Sequence, residues 1–478
     1  MYVKKAPAAG RAKSVCPRPF FFAPFWARGL RQNGKGAANF MKRQAKRETA
    51  DRGAFLAGRY GAYFFLNGLG NGFLLCVSTL MLLARGLDLA QVSLVVAVQS
   101  VLSMTLELPS GMAGDLWGRK RVWLASRVFF AAQLALYLTA RGPVLFLAAA
   151  LGGTATALAS GTVDAMYYDG WIAARGSGAL NRANLLRTAL NVGGTAAGTL
   201  AGGLMGGADF LRPYTLNLLA VAAAQALCLA AVLALPADAP GPEAAQALHS
   251  ARGAAGQLKA ALGQLAAQAR ATARAASGAP ALIVSLAGAA LLGFVLPGPQ
   301  LYWQPRLQQL AEGADLGVLL GVLSCVSQLG AVAGSFLNAA LARFVKSPVR
   351  AYALTRVLYL AALGGLALAG DAAGLACWFV AYYLTLGMHA AADDVVLQAN
   401  VSGDVRGSVM GAQNLLSYAG ITLAQLTAAA LVQAGIPFLW GAQWAVLAAG
   451  SALCGAWYLG ARWARRQADK GEETLQIV

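Results

Sequence analysis

Apolar residues run along this chain in blocks of about 20, separated by short clusters of charge, glycine or proline, and within the blocks no period-two alternation occurs. Blocks of that length are long enough to cross hydrocarbon as helices, whereas barrel strands would alternate. Six blocks fall near residues 60–84, 90–110, 122–140, 143–163, 185–206 and 213–235. Six more fall near 280–301, 316–341, 353–370, 372–391, 409–432 and 437–460. The pattern predicts an all-α membrane protein with twelve transmembrane helices in two six-helix halves, residues 56–235 and 280–460. Residues 1–55 read as a basic, disordered cytoplasmic tail, 236–279 as a cytoplasmic linker with a surface helix, and 461–478 as a second, solvated tail.

Composition agrees. Hydrophobic residues make up 58% and charged residues 12% of 478, too apolar for a water-soluble chain of this length. The net charge of +19 raises nucleic acid as a partner, but the positions of the basic residues argue against it. With both termini on one side, roughly 33 basic residues fall on that side and about four (Arg85, Arg141, Arg212, Arg306) on the other. Arg127 lies at the inner end of the third block. That alternation follows leaflet sidedness, not one contiguous patch, and predicts a multi-pass protein of a bacterial inner membrane with both termini cytoplasmic. Five of the six cysteines (Cys76, Cys228, Cys325, Cys377, Cys454) lie inside apolar blocks without CxxC spacing and read as small core residues. No cofactor or metal motif is present, and a monomer is the expected state.

The stretch Glu107-Leu-Pro109-Ser-Gly111-Met-Ala-Gly114-Asp115-Leu-Trp-Gly118-Arg119-Lys120-Arg121 joins the second and third blocks as a short loop. Glycine permits a tight reversal there, Asp115 is suited to capping or pairing with a cation, and Arg119 and Lys120 hold the loop at the inner leaflet. Gly111, Asp115, Gly118, Arg119 and Lys120 match G-x-x-x-D-x-x-G-R-K, and the stretch closely resembles the loop signature of the major facilitator superfamily. The preceding Glu-x-Pro-Ser-Gly, the run from Ser160 to Asp169, and Asn400 through Ser408 resemble segments of a bacterial subset of that family. The resemblance implies the major facilitator fold and transport by alternating access, with a gating latch at Asp115 and Arg119. The equivalent loop of the second half, NAALARFVKSPVR, keeps its positive charge but lacks the acid and the G-R-K run.

Gly194, Gly198, Gly202 and Gly203 give the fifth block a stripe of small residues for close helix packing. It partly resembles an antiporter signature, with Thr199 where proline would stand. Glu107, Arg127, Asp164, Asp169 and Arg406 form a candidate charge network at the inner face, where each acid is open to ion pairing or proton relay, as are Asp393 and Asp394. No carboxylate falls near mid-membrane. The candidate substrate cavity is uncharged: Asn67, Asn71, Gln99, Gln300, Gln304, Gln328, Tyr382, Asn414 and Tyr418, with Asn191, Tyr383 and His389 nearby. Pro297 and Pro299 are placed to break the seventh helix beside it.

These features predict a secondary transporter for a small molecule, with efflux of an amphipathic compound as one version and protons as a candidate coupling ion. A facilitator-type uptake carrier and a non-transporting sensor on the same fold stay open. An enzyme is not expected, because no P-loop, HExxH or G-x-S-x-G in a suitable context occurs.

Overall fold

The computed structural model describes residues 58–176, 178, 180–205, 212–235, 279–311, 316–401 and 406–475, with short pieces between 263 and 277. The described residues belong to the unit Ala54–Val478. The tail 1–55 and most of the linker 236–279, including its expected surface helix, lie outside them.

Helices form where the apolar blocks lie, and several exceed them. In the first half these are α1 (Gly58–Leu75), α2 (Ser78–Ala84), α3 (Leu89–Trp117), α4 (Arg119–Thr139), α5 (Leu145–Ala159), α6 (Thr162–Arg175), α7 (Leu180–Met205) and α8 (Thr215–Leu233). The second half contributes α9 (Pro280–Val295), α10 (Pro297–Leu310), α11 (Leu316–Leu341), α12 (Pro348–Leu368), α13 (Ala372–Ala399), α14 (Arg406–Leu431) and α15 (Ile436–Leu475). Among the described residues, ten helices are long and apolar enough to cross a membrane, or 11 if the bent pair α1–α2 counts as one span. The remaining long rod, α7, has 26 residues and spans about 39 Å at 1.5 Å per residue. Its length suffices, but its glycines, threonines and asparagines dilute its hydropathy.

Two boundaries differ from the sequence expectation. α15 continues to Leu475 where a tail is expected from Ala461, because Ala, Arg, Gln and Lys are good helix formers and no proline follows. The signature stretch is helical as far as Trp117, passing through Pro109, so the loop reduces to Gly118 alone. Gly118 has φ +93°, a conformation costly for any residue with a Cβ, and serves both as the last cap of α3 and the first cap of α4.

Small residues hold the rods together. A methyl group at Gly194, Gly198 or Gly202 of α7 would run into the carbonyl oxygens of Phe65, Leu69 and Phe73 on α1, so the two backbones lie in direct contact. Gly203 instead meets Gly317 and Gly321 of α11, in the other half. The few arginines on the face away from Gly118 have structural duties at helix C-termini. Arg85 donates to the Tyr137 carbonyl at 2.9 Å, Arg212 to Leu138 and Thr139 at 3.2 and 3.1 Å, and Arg306 to Ala369 at 3.2 Å. Of the cysteines, Cys76, Cys228 and Cys325 are buried as expected, whereas Cys377 is exposed.

Contacts between the halves concentrate on that same face. Ser93 Oγ donates to the Gln425 carbonyl at 2.6 Å, Gln425 Nε2 to Ser100 Oγ at 3.2 Å, and Tyr302 OH to the Leu89 carbonyl at 3.2 Å. The stretch leading into α2 goes further: Cys76 and Val77, with Leu80 of α2, belong to a core cluster whose other buried residues come from the second half, such as Trp303, Leu320, Tyr359 and Phe379.

The glycine contact gives a direct test. Gly198→Ala is expected to destabilise the protein by about 1–3 kcal/mol, because a methyl must push two helix backbones apart. Gly193→Ala, where a methyl meets nothing within 4 Å, is expected to leave stability unchanged or raised. Thermal unfolding in detergent separates the two, and equal melting temperatures would contradict the packing role.

Candidate functional site

The first span breaks at Cys76–Val77, with a bend of 49° between α1 and α2. Inside a membrane the freed backbone groups need partners, since no solvent replaces them. In an unbroken helix Thr79 N–H would donate to the Leu75 carbonyl. Here the Gln304 side chain of α10 stands between them, accepting from Thr79 N–H at 3.0 Å and donating to Leu75 O at 2.8 Å. Val77 N–H turns back to Leu74 O, and the Phe73 carbonyl it leaves is taken by Asn217 Nδ2 of α8 at 2.8 Å. The same Asn217 nitrogen donates to the Gly202 carbonyl at 2.8 Å, tying α1, α7 and α8 together.

The seventh span repeats this design. It breaks at Leu296, where Pro297 lacks an N–H, and Gln443 Nε2 of α15 donates to the Phe294 carbonyl at 3.2 Å. Breaks at corresponding places in the two halves mark the region where a transporter holds its solute.

Hydrogen bonding sorts the intramembrane amides into two groups. Gln304, Asn217, Gln225 and Gln443 are engaged by backbone or by an arginine, and the Gln425 amide donates to Ser100 Oγ. Gln304, expected from the sequence in the cavity, is completely buried as the stitch across the first break. Asn191 binds the Phe64 carbonyl at 3.4 Å, Gln300 bonds Tyr383, and Tyr382 OH accepts from Tyr359 OH at 2.9 Å. Asn67, Asn71, Gln99, Gln328 and Asn414, by contrast, are not fully buried and have no hydrogen-bond partner among the described residues; the Tyr418 side chain is half-buried. An amide facing hydrocarbon without a partner is costly, so these five side chains call for water or another polar group beside them.

Asn71 and Gln99 share a cavity of about 380 Å³ with Ser78, Gln133, Tyr137 and Thr156, walled by Leu74, Leu82, Phe130 and Val221. Gln133 donates to Tyr137 OH at 3.1 Å. The cavity touches the break itself through Leu75 and Ser78. Gln133, Tyr137 and Thr156 escaped sequence reasoning because each sits singly among apolar neighbours. Their only signal was a polar side chain within a span.

The charged residues form separate pairs. Arg119 meets Asp169 of α6 at 2.5 Å, and Arg187 of α7, which lies outside the expected network, pairs with Asp164. Both pairs lie within the first half. Lys120 and Arg59 hold the carbonyls that end α8, with Lys120 Nζ donating to Leu233 and Leu235 at 3.0 and 2.5 Å and Arg59 donating to Ala234 at 2.6 Å. Glu107 is exposed, and a methyl at Gly111 would meet open space. Arg127 joins no carboxylate; it donates to Gln225 at 2.8 Å and to Ser126 at 3.0 Å and lies over the Trp123 ring. The Asp115 and Arg406 side chains lie outside the described residues.

In the second half Asp393 accepts from Ser285 and Gln413 at 2.6 and 2.7 Å. His389 is fully buried between Tyr352 and Tyr359, with Nδ1 3.1 Å from Thr355 Oγ1.

The family model of the Major Facilitator Superfamily matches residues 61–425. Among curated proteins no sequence match is found. Similar solved structures include the nucleoside transporter NupG, 15% identical, TM-score 0.65, covering 85% of this chain and 98% of that one. A bacterial homologue of the lysosomal transporter Spinster, inward-facing and unoccupied, is 14% identical with TM-score 0.61, covering 85% and 96%. A bacterial homologue of the iron transporter ferroportin, inward-facing, is 14% identical with TM-score 0.59, covering 85% and 99%.

Two substitutions distinguish the amide groups. Gln304→Ala leaves the Thr79 N–H and the Leu75 carbonyl without partners and is expected to cost about 1–3 kcal/mol for each unsatisfied group. Asn71→Ala is expected to leave the melting temperature within a degree or two while abolishing solute-induced stabilisation. Thermal shift with and without solute reads both, and a loss of stability in Asn71→Ala would contradict the sorting.

Proposed function

Because the chain belongs to the major facilitator superfamily, we propose that it is a twelve-span secondary transporter that moves a small uncharged or amphipathic solute by alternating access. The observation that carries this reading is the break in the first span, sealed by a side chain from the opposite half beside a cavity lined with unpartnered amides. The crowding of basic residues toward the Gly118 face supports reading that face as the cytoplasmic side of a bacterial inner membrane, with both termini there. Inter-half hydrogen bonds then lie at the outer face, and the conformation is the one open to the cytoplasm.

In the cycle, a solute enters from the cytoplasmic side and replaces water on Asn71, Gln99 and Asn414. The halves then rock: Gln304 leaves Thr79 and Leu75, Ser93 leaves Gln425, and the Gly203–Gly321 contact parts. Backbone released at the break faces a water-filled vestibule at that moment, the one environment in which its opening is cheap. Uncharged amides suit a neutral solute, because a strongly ionic one would need a buried counter-charge. This direction of loading makes efflux the favoured version. A proton-coupled cycle would draw on Asp393 and His389, two buried titratable groups of the second half.

On the cytoplasmic face, Asp115 and Arg119 act as the latch that holds the alternate, outward-open state. In the present conformation Arg119 is engaged with Asp169 inside its own half.

A cysteine-free background carrying Ser93→Cys and Gln425→Cys tests the rocking step. A solute found by thermal shift among nucleosides, neutral sugars and uncharged amphipathic dyes is followed by counterflow in proteoliposomes. Cross-linking should cut flux at least tenfold and reduction should restore it; undiminished flux in fully cross-linked protein would refute alternating access. Asp115→Asn should abolish flux while the protein stays in the membrane, and near-normal flux would remove the latch.

A further inference from the structure

A second cavity, of about 610 Å³, lies between α9, α12 and α15 in the second half. α15 packs against both α9 and α12 there, and α12 and α15 pack on second-half helices, so the cavity lies apart from the one beside the first break. Its walls are largely apolar, including Leu291, Val357 and Leu360, and its charged lining residues are Arg350, Arg356 and Arg462. No carboxylate lines it. Arg356 is only 5% exposed. Its Nη2 donates to the Gly288 carbonyl at 3.2 Å and to Tyr352 OH at 2.8 Å, but Nη1 has no partner among the described residues. Ser451 Oγ, also on the wall, has none either. Asp393 interacts electrostatically with Arg356 but gives its hydrogen bonds to Ser285 and Gln413.

The first half shows what is missing. Ser126-Arg127-Val128 on α4 is echoed by Thr355-Arg356-Val357 on α12. Arg127 is satisfied by Gln225, which stands eight residues after the break-capping Asn217. Eight residues after the equivalent capping residue, Gln443, stands Ser451. Serine is too short to reach the guanidinium. The exchange leaves a buried arginine short of an acceptor and an empty volume where the glutamine side chain would lie. A buried cation inside a membrane calls for an anion.

We propose that this cavity binds an anionic phospholipid of the leaflet at the Gly118 face. The phosphate sits on Arg356 Nη1 and Ser451, Arg350 and Arg462 attract it at the mouth, and the acyl chains lie over Val357 and Leu360. Three features select lipid over a free anion. The walls are apolar. Val357 and Leu459 are 61% and 67% exposed, which turns the opening toward hydrocarbon. Arg462 lies over the Tyr458 ring, and its chain neighbour Trp463 is exposed, the pairing of aromatic and basic side chains found at headgroup level.

The test uses delipidated full-length protein in detergent, titrated with phosphatidylglycerol, phosphatidylethanolamine or inorganic phosphate and read by native mass spectrometry and thermal shift. Phosphatidylglycerol should bind at least tenfold more tightly than phosphatidylethanolamine, and phosphate alone should give no shift. Ser451→Gln, which restores the first-half arrangement, should fold normally and lose that preference. Arg350→Gln with Arg462→Gln, both at the exposed mouth, should weaken phosphatidylglycerol several-fold with the melting temperature of the lipid-free protein unchanged. Equal retention of the two lipids by wild type, an equal shift with phosphate, or an undiminished preference in Ser451→Gln would overturn the proposal. Should Ser451→Gln fail to fold, the mouth variant decides the matter alone.

Discussion

A helix broken inside a membrane must find partners for its freed backbone, and the way the first span does so organises this protein. Gln304 enters the gap between the Leu75 carbonyl and the Thr79 N–H and completes that hydrogen bond through its own amide. The side chain that does this belongs to the other half. Integrity of the first span and closure of one face are therefore the same contact, and α2 follows it into a core made mostly by second-half residues. Opening that face requires the bond to be given up, which water can compensate and hydrocarbon cannot.

The same constraint explains which polar residues are structural. Asn217 and Gln443 cap carbonyls at corresponding breaks, and Gln225 satisfies the half-buried Arg127. Asn67, Asn71, Gln99, Gln328 and Asn414 have no such duty, and their chemistry is left for what fills the space between the helices. The two halves thus share one plan, with departures that matter. Ser451 stands where the first half has Gln225, beside the cavity at Arg356, and the second-half loop lacks the acid and the G-R-K run of the first.

Much of this was legible along the chain. The apolar blocks located the helices, the prolines at 297 and 299 marked the seventh break, and the glycines of α7 announced a close contact that proved to be with α1 and, at Gly203, with α11. The signature stretch identified the family that the match over residues 61–425 establishes. Less legible was the first break, because Leu75-Cys76-Val77-Ser78 contains neither glycine nor proline and no local signal marks it. It exists because Asn217 and Gln304 arrive from elsewhere to compensate it.

The sequence by itself determined the solvent, the helical class, the sidedness of charge and the positions where backbones had to approach closely. Each of these follows from residue type and spacing, since hydrophobicity, charge and the lack of a Cβ act wherever the residue stands. Only the tertiary structure decided which glutamine is a strut and which is free, that Arg119 meets Asp169 and Arg187 meets Asp164, and that Arg356 lacks the acceptor Arg127 has. Those outcomes depend on which group lies within about 3 Å in a neighbouring helix. For an amide, an arginine or a carboxylate in a membrane, that neighbour is what separates a structural role from a functional one.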